Sequence, residues 1–138
     1  MCGYGSATSP TVRPELIAQA LEHAKLGAYD SVVTAFKSTD AVHPAAGLTP
    51  AGNGMYEPVL GREKAEARRQ VRQEVFFRSG QVYVFRTEAL LLSKSLYSGS
   101  IGIVEVPFEE AITIDSLRDF EIASEYLGKR PIPAWLAQ

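Results

Sequence analysis

One cysteine in 138 residues, Cys2, leaves no partner for an intramolecular disulfide; a reducing compartment and the cytoplasm are expected. The position of Cys2 beside a chain end also argues against a catalytic thiol. Two histidines, His23 and His43, lie twenty residues apart with no cysteine at ligand spacing, so zinc is not expected. A net charge of −2 provides no basic field, and nucleic acid is not an expected partner. No apolar run approaches the roughly 18 residues of a membrane span. The first ten residues, MCGYGSATSP, have neither the basic start nor the apolar core of a signal peptide.

What is present is an ordinary globular composition, 46% hydrophobic and 22% charged, enough for one domain with a core. Residues 1–10 are glycine- and serine-rich and read as a loop. Pro14 at a first helical position, with Leu16, Ile17, Ala20, Leu21 and Ala24 at helical spacing and Gly27 as the stop, predicts an amphipathic helix. The β-branched run from Ser31 to Phe36 predicts a strand covered on both faces, so helix and strand together point to α/β layering. From Lys37 to Leu60 the chain is punctuated by Pro44, Gly47, Pro50, Gly52, Gly54 and Pro58, and a long functional or partner-facing excursion is expected. His43 lies within it and is expected to make a local hydrogen bond.

Arg62 to Gln73 is rich in helix formers and carries Arg62, Lys64, Arg68, Arg69 and Arg72 against Glu63 and Glu66. It is a solvated helical face or a clamp for a small anion. Glu74 to Phe85 predicts two strand-like runs broken at Ser79 and Gly80, and Thr87 is expected to cap a short helix through Leu92. The tail from Lys129 predicts a surface strap anchored by Trp135.

The stretch from Gly102 to Leu127 is the most informative. Ile101, Ile103 and Val104 predict a strand ending at Pro107, and Ile112 and Ile114 about Thr113 predict a second. Ser116 followed by Asp119 has the spacing of a helix cap, with Leu117, Phe120, Ala123 and Leu127 as the apolar stripe and Gly128 as the stop. Asp119 is accounted for as a capping acid. Asp115 would then lie at a strand end beside a helix N-terminus, where ligands of open α/β sheets collect, and both a structural and a ligand role stay open.

Three ordered segments resemble the acylneuraminate cytidylyltransferases, the CMP-sialic acid synthetases, with the CMP-KDO synthetases more distant. The first is Thr8, Ser9 and Pro10 followed by Asp30, Ser31, Val32 and Val33; the second is Arg68, Arg69 and Gln70 followed by Ser79, Gly80, Val82 and Tyr83. The third is Thr113, Ile114 and Asp115 followed by Asp119 and Phe120. The resemblance covers most of the chain.

It implies a partial Rossmann-like nucleotidyltransferase fold, an α/β mixed sheet with flanking helices, in which residues 37–72 form a dimerisation arm within a single domain spanning 1–138. It also implies a transferase that moves CMP from CTP to a keto-sugar acid, of nonulosonic or KDO type, and releases pyrophosphate. Asp115 would be the catalytic residue and the magnesium ligand. Arg69, Gln70, Ser79, Gly80, Thr8 and Ser9 would bind substrate, and a homodimer is expected.

The sequence departs from the pattern at three places. Thr113 stands where the sialic acid enzymes have a first aspartate, and Ser79 stands where they have asparagine. Nothing matches their amino-terminal glycine and basic loop that grips the triphosphate. The chain alone is therefore expected not to turn over, and the alternatives are a non-catalytic dimerising or sugar-acid-binding remnant, or one half of a split enzyme.

Overall fold

The computed structural model describes residues 1–97 and 99–129. The predicted strap and Trp135 lie outside the described residues. By internal contacts the chain forms two compact units, residues 36–77 and the remainder.

The larger unit is built on a four-stranded mixed sheet. Its strands are β1 (Cys2–Gly5), β2 (Ser31–Lys37), β5 (Phe76–Phe85) and β6 (Ile101–Glu105), in the order β1-β5-β2-β6. β1 runs antiparallel to β5 and β6 parallel to β2. Three helices accompany it: α1 (Pro14–Leu26), α3 (Thr87–Ser93) and α4 (Leu117–Gly128). An α/β fold with a mixed sheet and flanking helices is thus what the chain adopts. Among the described residues, no helix is long and apolar enough to cross a membrane.

Local chemistry accounts for the first helix and the strand after it. Pro14 occupies the first turn of α1, where its missing N–H costs nothing, and Gly27 closes the helix by donating its N–H to the His23 carbonyl at 2.9 Å. Leu16, Ala20 and Ala24 are the buried stripe, packed against β6. In β2, Ser31 to Ala35 are all buried, as the unbroken β-branched run predicts for a strand covered on both faces. Val33 joins Tyr83 and Phe85 in a core cluster that Leu90, Leu96 and Ile103 extend.

Several expectations are corrected. Residues 2–5 form a strand and not a loop: its four residues are exposed, but Tyr4 stacks on its register partner Tyr83 with ring centroids 4.9 Å apart. That contact offsets the poor strand propensity of Gly3 and Gly5. The two runs around Ser79 and Gly80 are one ten-residue strand, β5, which passes through Gly80 at φ +76° without ending. Thr87 is the first residue of α3 and makes no cap; Arg86 holds the cap position.

Ile112 to Ile114 is not a strand. After β6 the chain makes a short 3-10 turn at Phe108–Glu110, and Ile112, Thr113 and Ile114 are all half-buried, so alternation in sequence is not alternation in burial. α4 forms as expected but keeps its last turn through Gly128. Of its apolar stripe only Ala123 is buried, while Leu117, Phe120 and Leu127 are exposed.

The 36–77 unit has its own structure. β3 (Leu48–Gly52) and β4 (Met55–Pro58) form an antiparallel hairpin whose tip, Asn53 and Gly54, takes φ +50° and +74°. Two successive positive φ angles are what a tight hairpin turn demands, and Asn-Gly meets that demand at little cost. The charged stretch after it is helical only over α2 (Arg62–Glu66) and a 3-10 turn at Arg69–Val71. His43 makes the expected local bond, its Nδ1 accepting from the Ala45 N–H at 3.0 Å.

The sheet of the larger unit buries several polar side chains, Ser31, Thr34, Ser79 and Gln81 among them. Thr34 is 1% exposed, and its Oγ1 accepts from Ser79 Oγ at 2.7 Å and from the Val82 N–H at 3.0 Å. Replacing Thr34 by valine keeps the volume and strands both donors. Thr34→Val should lower unfolding stability by about 1–3 kcal/mol in chemical denaturation, and a change within error would show that the hydroxyl is dispensable.

Candidate functional site

Three segments remote in sequence meet at the bend of β5. The chain after β1 turns back on itself, with Ser6 N–H bonded to the Gln81 carbonyl at 3.0 Å and Ser9 N–H to the Ser6 carbonyl at 3.2 Å. This turn carries Thr8 and Ser9. Ser9 is buried and its Oγ reaches the Gly80 carbonyl at 3.5 Å, while the Thr8 carbonyl accepts from the Ile114 N–H at 2.8 Å. From the third segment, Thr113 Oγ1 donates to the Ser79 carbonyl at 3.4 Å. Thr8, Ser9, Ser79, Gly80, Thr113 and Ile114 are therefore neighbours, and Asp115 follows Ile114 in the chain.

A second set of bonds fixes the connector that leads to Asp115. Gln81, fully buried, donates through Nε2 to Thr11 Oγ1 at 2.8 Å and to the Glu110 carbonyl at 2.9 Å. Thr11 Oγ1 donates to the same carbonyl at 2.6 Å, and Arg13 pairs with the Glu110 carboxylate at 2.7 Å. The 3-10 turn is thus tied both to β5 and to the start of α1. Among the described residues, Gln81 Oε1 is left as a buried acceptor without a partner.

The hydroxyls at the junction are engaged. Ser79 is 3% exposed and its Oγ points to Thr34, and the Thr113 hydroxyl is given to a backbone carbonyl. Thr8 shares its hydroxyl with Ser6 at 2.8 Å. Gly80 is placed by its backbone: a Cβ there would lie 3.3 Å from Thr113 Oγ1 and would have to tolerate φ +76°. Gly80→Ala should cost about 1 kcal/mol or more and loosen Thr113, seen as faster amide exchange at Ile114; unchanged exchange would separate the bend from the connector.

The two aspartates divide the work. Asp119 Oδ2 accepts from the Ser116 hydroxyl at 2.7 Å, the Ser116 N–H at 2.8 Å and the Asp115 N–H at 3.2 Å, and Ser116 Oγ accepts in return from the Asp119 N–H, a complete capping box. Asp115 is exposed, and among the described residues its carboxylate has no protein partner. It does not stand at a strand end, because Ile112–Ile114 is not a strand. Among the described residues, no three His, Cys, Asp or Glu side chains converge as a metal-holding group.

Arg69 and Gln70 belong to the 36–77 unit and are exposed; Arg69 Nη1 pairs with Asp40 at 3.1 Å. One cation was not singled out from sequence. Arg78, next to Ser79, lies over the Tyr97 ring at 4.8 Å and among the described residues has no carboxylate partner. Its signal was its place at the end of the arginine-rich stretch, but its stacking partner lies nineteen residues further on. No protein-family model and no curated protein sequence matches the chain.

The cap has a titration consequence. The Ser116 hydroxyl, then the Asp115 N–H, hold the Asp119 carboxyl below its usual 3.8. A folded value below the unfolded one means stability that is present above the unfolded value and lost as pH falls through the folded one, that is, below about pH 4. Ser116→Ala should cost about 1 kcal/mol at neutral pH and raise the Asp119 value towards 3.8 in an NMR titration. An unmoved Asp119 would show that the hydroxyl is not its main support.

Proposed function

We propose that this chain is a cytidylyltransferase-type domain of the sialic-acid class, which serves transfer of CMP from CTP to a keto-sugar acid with release of pyrophosphate. In that reaction the anomeric hydroxyl attacks the α-phosphorus. The observation that carries the reading is the meeting of Thr8–Ser9, Ser79–Gly80 and Thr113–Ile114 at one bend, since each of the three resembling segments contributes part of itself there. A partial Rossmann-like nucleotidyltransferase sheet is part of the same proposal, as is a cytoplasmic location.

Within it, Asp115 is the one aspartate at this junction free to bind a cation. Magnesium is commonly held by one or two carboxylates together with phosphate oxygens and water, so a single carboxylate suits an ion delivered with the triphosphate. Bound there, the ion would neutralise charge on the triphosphate oxygens. Gly80 supplies a backbone surface without a side chain, and Thr8 and Ser9 border it. Arg69 and Gln70, on the 37–72 arm, would meet the sugar acid's carboxylate in a homodimer, with Arg69 exchanging Asp40 for the substrate. Arg holds a carboxylate as a planar fork, which a lysine cannot reproduce.

The second reading is a non-catalytic domain that binds sugar acid, dimerises or completes a separate chain. It is favoured by one observation: the Ser79 and Thr113 hydroxyls are both spent inside the protein. On the proposed reading the isolated chain should bind magnesium with CTP weakly and form no pyrophosphate with N-acetylneuraminate or KDO.

Calorimetry with magnesium and CTP on the wild type and Asp115→Asn, with sedimentation on both, tests this. The expected result is a dimer whose magnesium-dependent CTP binding falls about tenfold in the variant. Equal binding by both proteins, or a monomer at high concentration, would overturn the assignment of Asp115 or of the arm respectively.

A further inference from the structure

The 36–77 unit encloses a pocket of its own, about 190 Å³ in volume, between the His43 turn, α2 and the segment leading into β5. Its walls are mainly apolar, with Leu60, Val71 and Val75 among them, and its polar groups are His43, Lys64 and Arg72. The residues assigned above to CTP, magnesium and sugar acid are not among those lining this pocket.

The three polar groups differ in what they have left to offer. His43 has nothing: Nδ1 accepts from the Ala45 N–H, so the ring proton sits on Nε2, which faces the Gln73 carbonyl at 3.0 Å. The ring is a fixed wall. Arg72 is 18% exposed and anchored by Nε to the Ala67 carbonyl at 3.2 Å and by Nη2 to the Ala65 carbonyl at 3.3 Å. Its Nη1 is 4.0 Å from Asp40, beyond hydrogen-bonding reach, and Asp40 is closer to Arg69 at 3.1 Å. The guanidinium is therefore held rigidly by carbonyls with part of its donor edge unspent. Lys64 is exposed and, among the described residues, has no carboxylate partner.

We propose that this pocket binds a small organic monocarboxylate, with its apolar body against Leu60, Val71 and Val75 and its carboxylate on Lys64 and Arg72. The size fits: a dry cavity of about 150 Å³ takes up benzene, so the volume here accommodates one six-membered ring and a carboxyl group. The charge fits as well. Two cations offset in part by Asp40 match a single negative charge, whereas a phosphate dianion would carry more charge into an apolar site than these groups balance. A carboxylate also pairs with the planar edge of an anchored arginine, whose ordering has already been met by the two carbonyls.

Benzoate is the probe and benzamide its neutral isostere, added to the ¹⁵N-labelled full chain. Benzoate should shift the amides of residues around Val71 and Val75 in a saturable way, and benzamide should bind about tenfold more weakly. Lys64→Met, an exposed substitution that leaves the packing alone, should weaken benzoate by a similar factor while the remaining spectrum is unchanged. Phenyl phosphate separates the anion classes and should bind no better than benzamide. Absence of saturable shifts at these residues, equal affinity for benzoate and benzamide, or preference for phenyl phosphate would each overturn the proposal. Because these arms contain neither nucleotide nor sugar acid, their outcome is independent of whether the chain belongs to a cytidylyl transfer.

Discussion

A single buried hydroxyl, that of Thr34, governs how β2 and β5 lie together at the bend. Gly80 puts a left-handed residue in the middle of a ten-residue strand, and a strand that bends must find partners for the polar groups on either side. Thr34 Oγ1 takes both the Ser79 hydroxyl and the Val82 N–H, one donor from each side of Gly80. A valine there would suit the strand equally well by shape. The hydroxyl is what makes the bend compatible with burial, and the positions of the turn at Thr8 and the connector at Thr113 follow from the bend.

That arrangement also limits what the junction can offer a ligand. Hydroxyls at a sugar site are valuable when their bonds to protein leave capacity for another, and here Ser79, Thr113 and Thr8 are each engaged with the protein. Asp115 is the contrast. Its neighbour Asp119 collects three donors on one oxygen, the Asp115 N–H among them, and so leaves the Asp115 carboxylate with no part in capping the helix. The division arises from spacing alone: a cap residue and an acid three positions later complete a box, and the residue before the cap is left outside it.

Signals that act within a few residues were legible in the sequence. The helix α1, the strand β2, and the roles of Ser116 and Asp119 all rest on local chemistry, and each formed where that chemistry places it. One local signal failed, since Thr87 lies inside its helix and makes no cap, but most failures were of another kind. β1 holds through the stacking of Tyr4 on Tyr83, a pairing about eighty residues apart that Gly3 and Gly5 disguise. Ile112 and Ile114 have strand-like spacing, yet their segment bonds to a turn and a strand bend instead of a neighbouring strand. The hairpin of β3 and β4 is different again: Asn53–Gly54 is a strong hairpin signal, masked by reading the surrounding prolines and glycines as one long excursion. In the candidate site, Thr8 and Ser79 were expected through the resemblance and Thr113 only as a departure from it, while the burial of Ser79 depends on Thr34, forty-five residues away, and no local pattern reports it.

The two ends of the 36–77 unit are joined to each other. Ser38 donates its N–H to the Val75 carbonyl at 2.9 Å, Lys37 pairs with Glu74, and the Phe36 and Phe77 rings stack 5.9 Å apart. Such a clasp makes the unit an insertion between adjacent strands whose loop is closed at its base. Closure entropy grows only with the logarithm of length, about 0.6 kcal/mol per doubling, so the sheet is nearly indifferent to how much chain lies beyond the clasp. A tag or a foreign domain grafted beyond the clasp should therefore leave β2 and β5 paired.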